Sequence, residues 1–231
     1  MTRPAMRSPL FLALLAAAAT SVGAQQAYMP SMGGGDYTLP ITSMKQSRTR
    51  TTLIQKYDFS CGSAAIATLL THHYGYPVTE ETVFQGMYNT GDQQKIQREG
   101  FSLLDMKRFL ADNGFDADGF QLPLDKLNEA RVPAIVLINE SGYHHFVVVK
   151  GLDAQRILIG DPARGTRTMS RQDFEARWQN NLLFVIHNQM DRAKFNVAAE
   201  WKVTPRAPLG DGIPRSSMMD YTLPKMGPGD F

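Results

Sequence analysis

One cysteine in 231 residues leaves no partner for an intramolecular disulfide, so a packed core rather than a covalent framework must hold this chain together. Neither sign of charge dominates: 24 Lys and Arg stand against 22 Asp and Glu, a formal net charge of +2. The basic residues are scattered, which excludes the electrostatic footprint of a nucleic-acid partner. Beyond the first two dozen residues no run is long and apolar enough for a transmembrane helix. Spacings of His, Cys, Asp and Glu that suit zinc or calcium are also missing, as is a glycine-rich phosphate loop behind a strand, so any catalysis is expected to need no cofactor and no metal.

What is present begins with Met1-Thr-Arg3-Pro-Ala-Met-Arg7, a Leu/Ala run from Pro9 to Thr20, and Val22-Gly23-Ala24 before Gln25. A basic start, a short apolar stretch and small residues at a cleavage point make residues 1–24 an expected signal peptide, too short to span a bilayer stably. The residue directly after the cleavage point is Gln25 and not a cysteine that could carry a lipid anchor. The mature protein is expected to be soluble and periplasmic, without stable membrane insertion.

Residues 25–50 carry glycines, prolines and polar residues without apolar periodicity and read as a flexible N-terminal arm. Residues 188–231, with proline at 205, 208, 214, 224 and 228, read as a flexible tail. Both contain the same five residues, Asp36-Tyr-Thr-Leu-Pro40 and Asp220-Tyr-Thr-Leu-Pro224, which is either coincidence between biased segments or a duplicated docking segment. Residues 51–187 between them are dense in aliphatic and aromatic side chains and large enough for one core.

Within that domain the hydrophobic period changes. Gly62 to His73 has the apolar density of a packed helix ended by Gly75 and Pro77; Thr79-Glu-Glu opens a second; Ser102-Leu-Leu-Asp105 is a capping box for a third ending near Asn113-Gly114. Then come four short β-branched or aliphatic runs, 134–138, 146–149, 156–159 and 182–186, with one helix over 170–178 capped by Ser170. Helices first and antiparallel strands afterwards predict an α+β fold, N-terminal helices packed on a C-terminal sheet.

Cys61 lies where the polar segment Gln55-Lys-Tyr-Asp-Phe-Ser60 enters the first helix, and the first turn of a helix is where the dipole favours a thiolate. A lone cysteine also serves as an inert small hydrophobe, so the companions decide. A cysteine hydrolase needs an imidazole, a group orienting it and an oxyanion donor. His145 opens one strand and Asp161 ends the next; if the two strands pair, roughly 5 Å separates them, which suits an imidazole–carboxylate bond. Gln55, six residues before the cysteine, can donate an amide beside the Cys61 N–H.

Together Gln55, Asp58-Phe-Ser-Cys61-Gly62-Ser-Ala-Ala, Gly100-Phe-Ser-Leu-Leu-Asp-Met, His145-Phe-Val-Val-Val and Asp161-Pro-Ala-Arg-Gly165 make residues 48–187 resemble peptidase family C39, the papain-like peptidases of bacteriocin-processing ABC exporters. The resemblance implies a papain-like fold with Cys61 as nucleophile, His145 as general base and acid, Asp161 as orienting carboxylate and Gln55 as oxyanion donor. It also favours His145 over the adjacent His144, since alternation lets only one of them face Cys61. In the exporters such domains clip a leader after a double glycine, but this chain lacks their membrane helices and nucleotide-binding domain. The export signal and lone domain are closer to the free-standing exported subgroup found with functional-amyloid (Fap-type) secretion systems. An exported polypeptide, a fibre or amyloid subunit or a secretion component, is then the expected substrate.

Blander roles stand beside these. Asp58 is expected to cap the helix, since a carboxylate near a thiolate opposes its ionisation. His72 and His73 point about 100° apart and make a poor metal pair. Gly33-Gly34-Gly35 is read as linker before self-cleavage site. Alternative functions are a non-cleaving peptide-binding or chaperone module using the same groove, a cell-wall amidase, or an acyl transferase.

Overall fold

The structure, a computed structural model, describes residues 26–29, 37–40 and 42–204 in two units, Met1–Ser43 and Met44–Phe231. The expected signal peptide, Gly33-Gly34-Gly35 and the repeat copy at 220–224 lie outside the described residues. In the first unit β1 (Gln26–Met29) and β2 (Tyr37–Pro40) form an antiparallel ladder from Gln26↔Pro40 to Met29↔Tyr37, so four residues of the first repeat copy are a strand.

The second unit opens with α1 (Met44–Thr49), inside the segment expected to be a flexible arm. It lies against β7 (Gly165–Ser170), where Gly165 has φ +79° and a Cβ would fall 2.7 Å from the Arg48 carbonyl oxygen. Gly165→Ala would therefore meet both a strained backbone and a rigid neighbour. It is expected to cost about 1–3 kcal/mol, a fall of about 2–12 °C in Tm by thermal unfolding.

The helices follow: α2 (Cys61–Thr68), continued by a π-helical turn at Leu69–His73, α3 (Glu80–Thr90), α4 (Gln93–Glu99) and α5 (Leu103–Asp112). Every residue of α2 is buried, which its small side chains permit: a Cβ on Gly62 would fall 2.6 Å from Met106 Cε and 3.1 Å from Phe101 Cβ. The capping box of α5 forms as its sequence predicts, Ser102 Oγ accepting from the Asp105 N–H (3.2 Å) and Asp105 Oδ2 from the Ser102 N–H (2.9 Å). Thr79 caps α3 with a single bond, its Oγ1 accepting from the Thr82 N–H (3.1 Å). Neither α4 nor β3 (Ala117–Gln121) nor α6 (Asp125–Ala130) was foreseen; α4 buries Ile96 alone and so lacks the apolar stripe that reveals a helix.

The remaining strands are β4 (Ala134–Glu140), β5 (Tyr143–Leu152), β6 (Arg156–Asp161) and β8 (Leu182–Ile186), with α7 (Arg171–Arg177) capped by Ser170. They form a six-stranded sheet of order β3-β8-β4-β5-β6-β7 in which each neighbouring pair is antiparallel. Ile135, Phe146, Val148, Phe184 and Ile186 meet the helical side, Cys61 and Ile66 of α2 and Leu69 of its π-helical continuation among them. Val136, Val147, Val149, Ile157 and Ile159 form a second cluster with Leu127, Phe174 and Trp178. The α+β arrangement is thus the expected one, with α6 and α7 covering the further face.

Packing does not stop at residue 187, where a flexible tail was expected. The segment from Lys194 through α8 (Ala198–Trp201) to Val203 is docked on the sheet. Its anchor is Lys150 on β5, which has no exposed surface and whose ammonium lies 2.9 Å from Glu200 Oε1, 2.8 Å from the Thr51 carbonyl and 2.7 Å from Thr51 Oγ1. Asn196 donates its N–H to the Lys150 carbonyl (2.9 Å) and its side chain to the Leu152 carbonyl (3.0 Å). Burial pushes His73 down to about 4, so its neutral ring donates Nδ1–H to the Lys194 carbonyl at 2.6 Å. A buried ammonium needs a counter-charge, and the residues that supply it read as tail because they carry little apolar pattern.

Candidate active site

Cys61 is the first residue of α2 and 7% exposed. The residue before it, Ser60, occupies the N-cap position without capping by its side chain; its hydroxyl instead closes the 57–60 turn, accepting from the Tyr57 N–H (3.2 Å) and donating to the Tyr57 carbonyl (3.0 Å). Asp58 is exposed and is not the cap, contrary to expectation; its carbonyl accepts the Tyr143 hydroxyl at 2.9 Å. The first N–H groups of a helix lack intrahelical acceptors, so the Cys61 end of α2 presents donors where the sulfur sits.

β5 opens after the tight Ser141-Gly142 turn, both residues at positive φ, and carries Tyr143, His144 and His145. The pairing Val148↔Gly160 carries Asp161, the last residue of β6, alongside the start of β5. His145 Nε2 lies 2.8 Å from Asp161 Oδ1, with 3% and 1% of the two residues exposed. Because a carboxylate can only accept, Nε2 carries the proton and the basic nitrogen of the neutral ring is Nδ1. That Nδ1 is buried without a hydrogen-bond partner. His144 is exposed, its Nε2 3.3 Å from Asn139 Nδ2, and takes no part.

Electrostatics make the pair an ion pair. Burial alone would lower the His145 pKa, but the Asp161 hydrogen bond, the Cys61 sulfur and the Asp161 charge outweigh it and raise His145 to about 9. Burial works against the Asp161 carboxylate too, yet the His145 bond and charge, the Ala163 N–H and the Arg167 guanidinium bring it down to about 2. Raised in the fold, His145 contributes stability fully below its unfolded value and loses it as pH rises through about 9; depressed, Asp161 contributes above its unfolded value and loses it as pH falls through about 2. Both contributions are complete between about pH 4 and 6.5.

Gln55 is held on the loop before α2 by its N–H, which donates to the Pro162 carbonyl at 2.9 Å. Its Nε2 is engaged with the Tyr57 carbonyl at 3.1 Å and the Asp58 carbonyl at 3.4 Å, while Oε1 is buried and unpartnered. The structure thus brings the four candidates to one region, with the Gln55 amide turned toward its own loop. It adds residues that the sequence reading passed over. Tyr143, two residues before His145, tilts its ring 5.6 Å from the imidazole, a neighbour that strand alternation could have flagged. Arg167 on β7 grips Asp161 at 2.9 Å, with no local sequence signal. Among the described residues no group of three or more His, Cys, Asp or Glu could hold a metal ion.

The sequence model of the Peptidase C39 family matches residues 50–190. The chain is 35% identical over 222 residues to the "Probable functional amyloid protease FapD" of Pseudomonas fluorescens, covering 94% of this chain and 96% of that one. A protein of the same name from Pseudomonas aeruginosa is 35% identical over 187 residues, 81% and 83% of the two chains. In fold, the peptidase domain of Streptococcus ComA, a bi-functional ABC transporter involved in quorum sensing, superposes with a TM-score of 0.50 at 22% identity, over 59% of this chain and 97% of that domain.

Proposed function

The chain belongs to the Peptidase C39 family and is a cysteine-type peptidase of papain-like α+β fold, and from that premise we propose that it cleaves an exported polypeptide through Cys61, His145, Asp161 and Gln55. The observation that carries the reading is the buried imidazole of His145, bonded through Nε2 to Asp161 and left with an open Nδ1 under the influence of the Cys61 sulfur.

In the proposed sequence the Cys61 thiol proton already rests on His145 Nδ1, completing the imidazolium, and the sulfur attacks the scissile carbonyl carbon as the thiolate. The carbonyl oxygen becomes an oxyanion held by the Cys61 N–H and by Gln55. Only the longer contact of the Gln55 amide, 3.4 Å to the Asp58 carbonyl, has to give way to free that donor. His145 then returns the proton to the leaving amine, the C–N bond breaks, and a thioester remains on Cys61. Water, deprotonated by His145, displaces the sulfur and releases the new carboxyl terminus. Asp161 keeps the ring in its tautomer and balances the imidazolium charge throughout.

The name of the two Pseudomonas relatives brings an amyloid-forming or fibre-forming protein to the proposal as substrate. With residues 1–24 as an export signal, the enzyme works in the periplasm; no helix among the described residues is long and apolar enough to cross a membrane. The peptidase domain of the proposal runs from residue 51 through the docked segment to Thr204. The test compares masses and termini of exported proteins from cells making the intact chain and cells making Cys61→Ala. At least one exported protein should keep a segment in the variant cells that is removed in the others. If the two sets of termini are identical, the proposed function is wrong.

A further inference from the structure

Asp161 is held from two sides, and the second side leads away from the reacting atoms. Its Oδ1 accepts from His145, from the Ala163 N–H at 2.9 Å and from the Arg164 N–H at 3.3 Å. Its Oδ2 accepts from Arg167, whose Nε and Nη2 both lie 2.9 Å away. Arg167 Nη2 continues to Glu140 Oε1 at 2.6 Å, and Glu140 Oε2 to Arg164 Nη1 at 2.7 Å. Glu140 is the last residue of β4, Arg167 the third of β7, and they meet by reaching over the ends of the two strands between them. Both side chains are 18% exposed, so this is not an ordinary surface pair that solvent screens away.

The charges alternate from imidazole to carboxylate to guanidinium to carboxylate. Two guanidinium nitrogens on Oδ2, opposite the His145 and Ala163 donors on Oδ1, hold the carboxylate from both ends and so set the direction in which Oδ1 meets His145; a lysine would supply the charge without the paired donors. Glu140 fixes the guanidinium in turn. We propose that Arg167 and Glu140 are positioning residues for the peptidase reaction, Arg167 aiming the Asp161 carboxylate at His145 and Glu140 holding Arg167 in place. The inference rests on the reading of Asp161 as the group that orients His145.

An electrostatic signature separates this role from simple bracing of the sheet. The groups that face the imidazole are Cys61 from α2, Tyr143 from its own strand, Asp161 from β6, and behind Asp161 the charges of Arg167, Glu140 and Arg164. Removing the Arg167 cation leaves the ring in a more negative surrounding and holds its proton to higher pH. Removing the Glu140 anion does the opposite. A bracing role would move both variants alike or neither.

The test titrates the His145 ring by nitrogen NMR in the full exported chain, which needs no substrate. Arg167→Met is expected to raise the midpoint and Glu140→Gln to lower it, each by roughly 0.3–1 pH unit. Arg167→Lys, which keeps the cation, should stay within about 0.3 unit of the parent while processing of the exported partner slows about 10-fold or more from lost aim. Midpoints that move in the same direction, or do not move, would overturn the proposal, and so would full-speed processing by Arg167→Lys. If Arg167→Met does not fold, the Glu140→Gln and Arg167→Lys results decide alone. Persistent processing by Cys61→Ala would instead sink the underlying assignment of the site, an outcome that the His145 titration does not share.

Discussion

Cys61→Ala and His145→Ala are each expected to lower turnover of the exported substrate by about 10⁴-fold or more with far-ultraviolet circular dichroism near that of the parent, Tm staying near the parent for Cys61→Ala and falling for His145→Ala, which strips the buried Asp161 of its imidazole partner. The two losses should be alike because the residues act as one unit: without the sulfur there is no acyl-enzyme, and without the imidazole nothing takes or returns the proton. The double variant is accordingly expected to be no worse than either single one. Gln55→Ala should fall between, about 100- to 1000-fold down, since it removes one of two oxyanion donors and leaves the nucleophile intact. Single-turnover cleavage of purified substrate, followed by mass spectrometry, measures all four. Cleavage by Cys61→Ala at the parental rate would sink the mechanism. The pH dependence carries a second check. With His145 raised to about 9, its imidazolium persists across neutral pH, and kcat/KM is expected to decline on the alkaline side near pH 9 and not near the 6.5 of a free histidine.

Glu200→Gln is expected to destabilise the folded domain by about 3–5 kcal/mol, a drop of about 6–20 °C in Tm. The reason is the site Lys150 occupies. Its ammonium has no exposure and is served by Glu200, the Thr51 carbonyl and the Thr51 hydroxyl, with burial depressing its pKa against the attraction of Glu200. Removing the carboxylate strands a charge in the interior. Replacing both partners, as in Lys150→Met with Glu200→Leu, should recover most of the loss, because two desolvated ions are exchanged for apolar contact. Thermal unfolding of the three proteins measures this. A Glu200→Gln protein with unchanged Tm would mean that α8 is not part of the cooperative unit.

That second prediction concerns residues that the sequence presented as tail, and the misreading has a physical cause. Between Lys194 and Thr204 the side chains buried are few, Glu200 and Val203 among them, so no period emerges above the polar background. Docking is set by a charge on β5 and by backbone hydrogen bonds to His73 and Lys150, and neither leaves a local pattern. The same holds for β7: Gly-Thr-Arg-Thr-Met-Ser looks like a polar turn, yet it completes the edge of the sheet beside β6. Where patterns were strong, as in the buried α2, the Ser102–Asp105 capping box and the aliphatic β4, β5 and β8, the elements were legible, although β5 reaches from Tyr143 to Leu152, well beyond the aliphatic run at 146–149.

For the candidate site, Cys61, His145, Asp161 and Gln55 could be picked out because nucleophile, base and orienter are rare residue types standing at element ends. Sequence by itself determined the helix-then-strand order, the helix start that carries the sulfur, and the neighbouring strands that carry imidazole and carboxylate. Tertiary structure alone decided the 2.8 Å contact of His145 with Asp161, the turn of the Gln55 amide toward its own loop, and the convergence of Arg167 and Glu140 on the carboxylate. Those outcomes depend on register and on the loss of water around charged groups, which arise only when residues far apart in the chain are packed together.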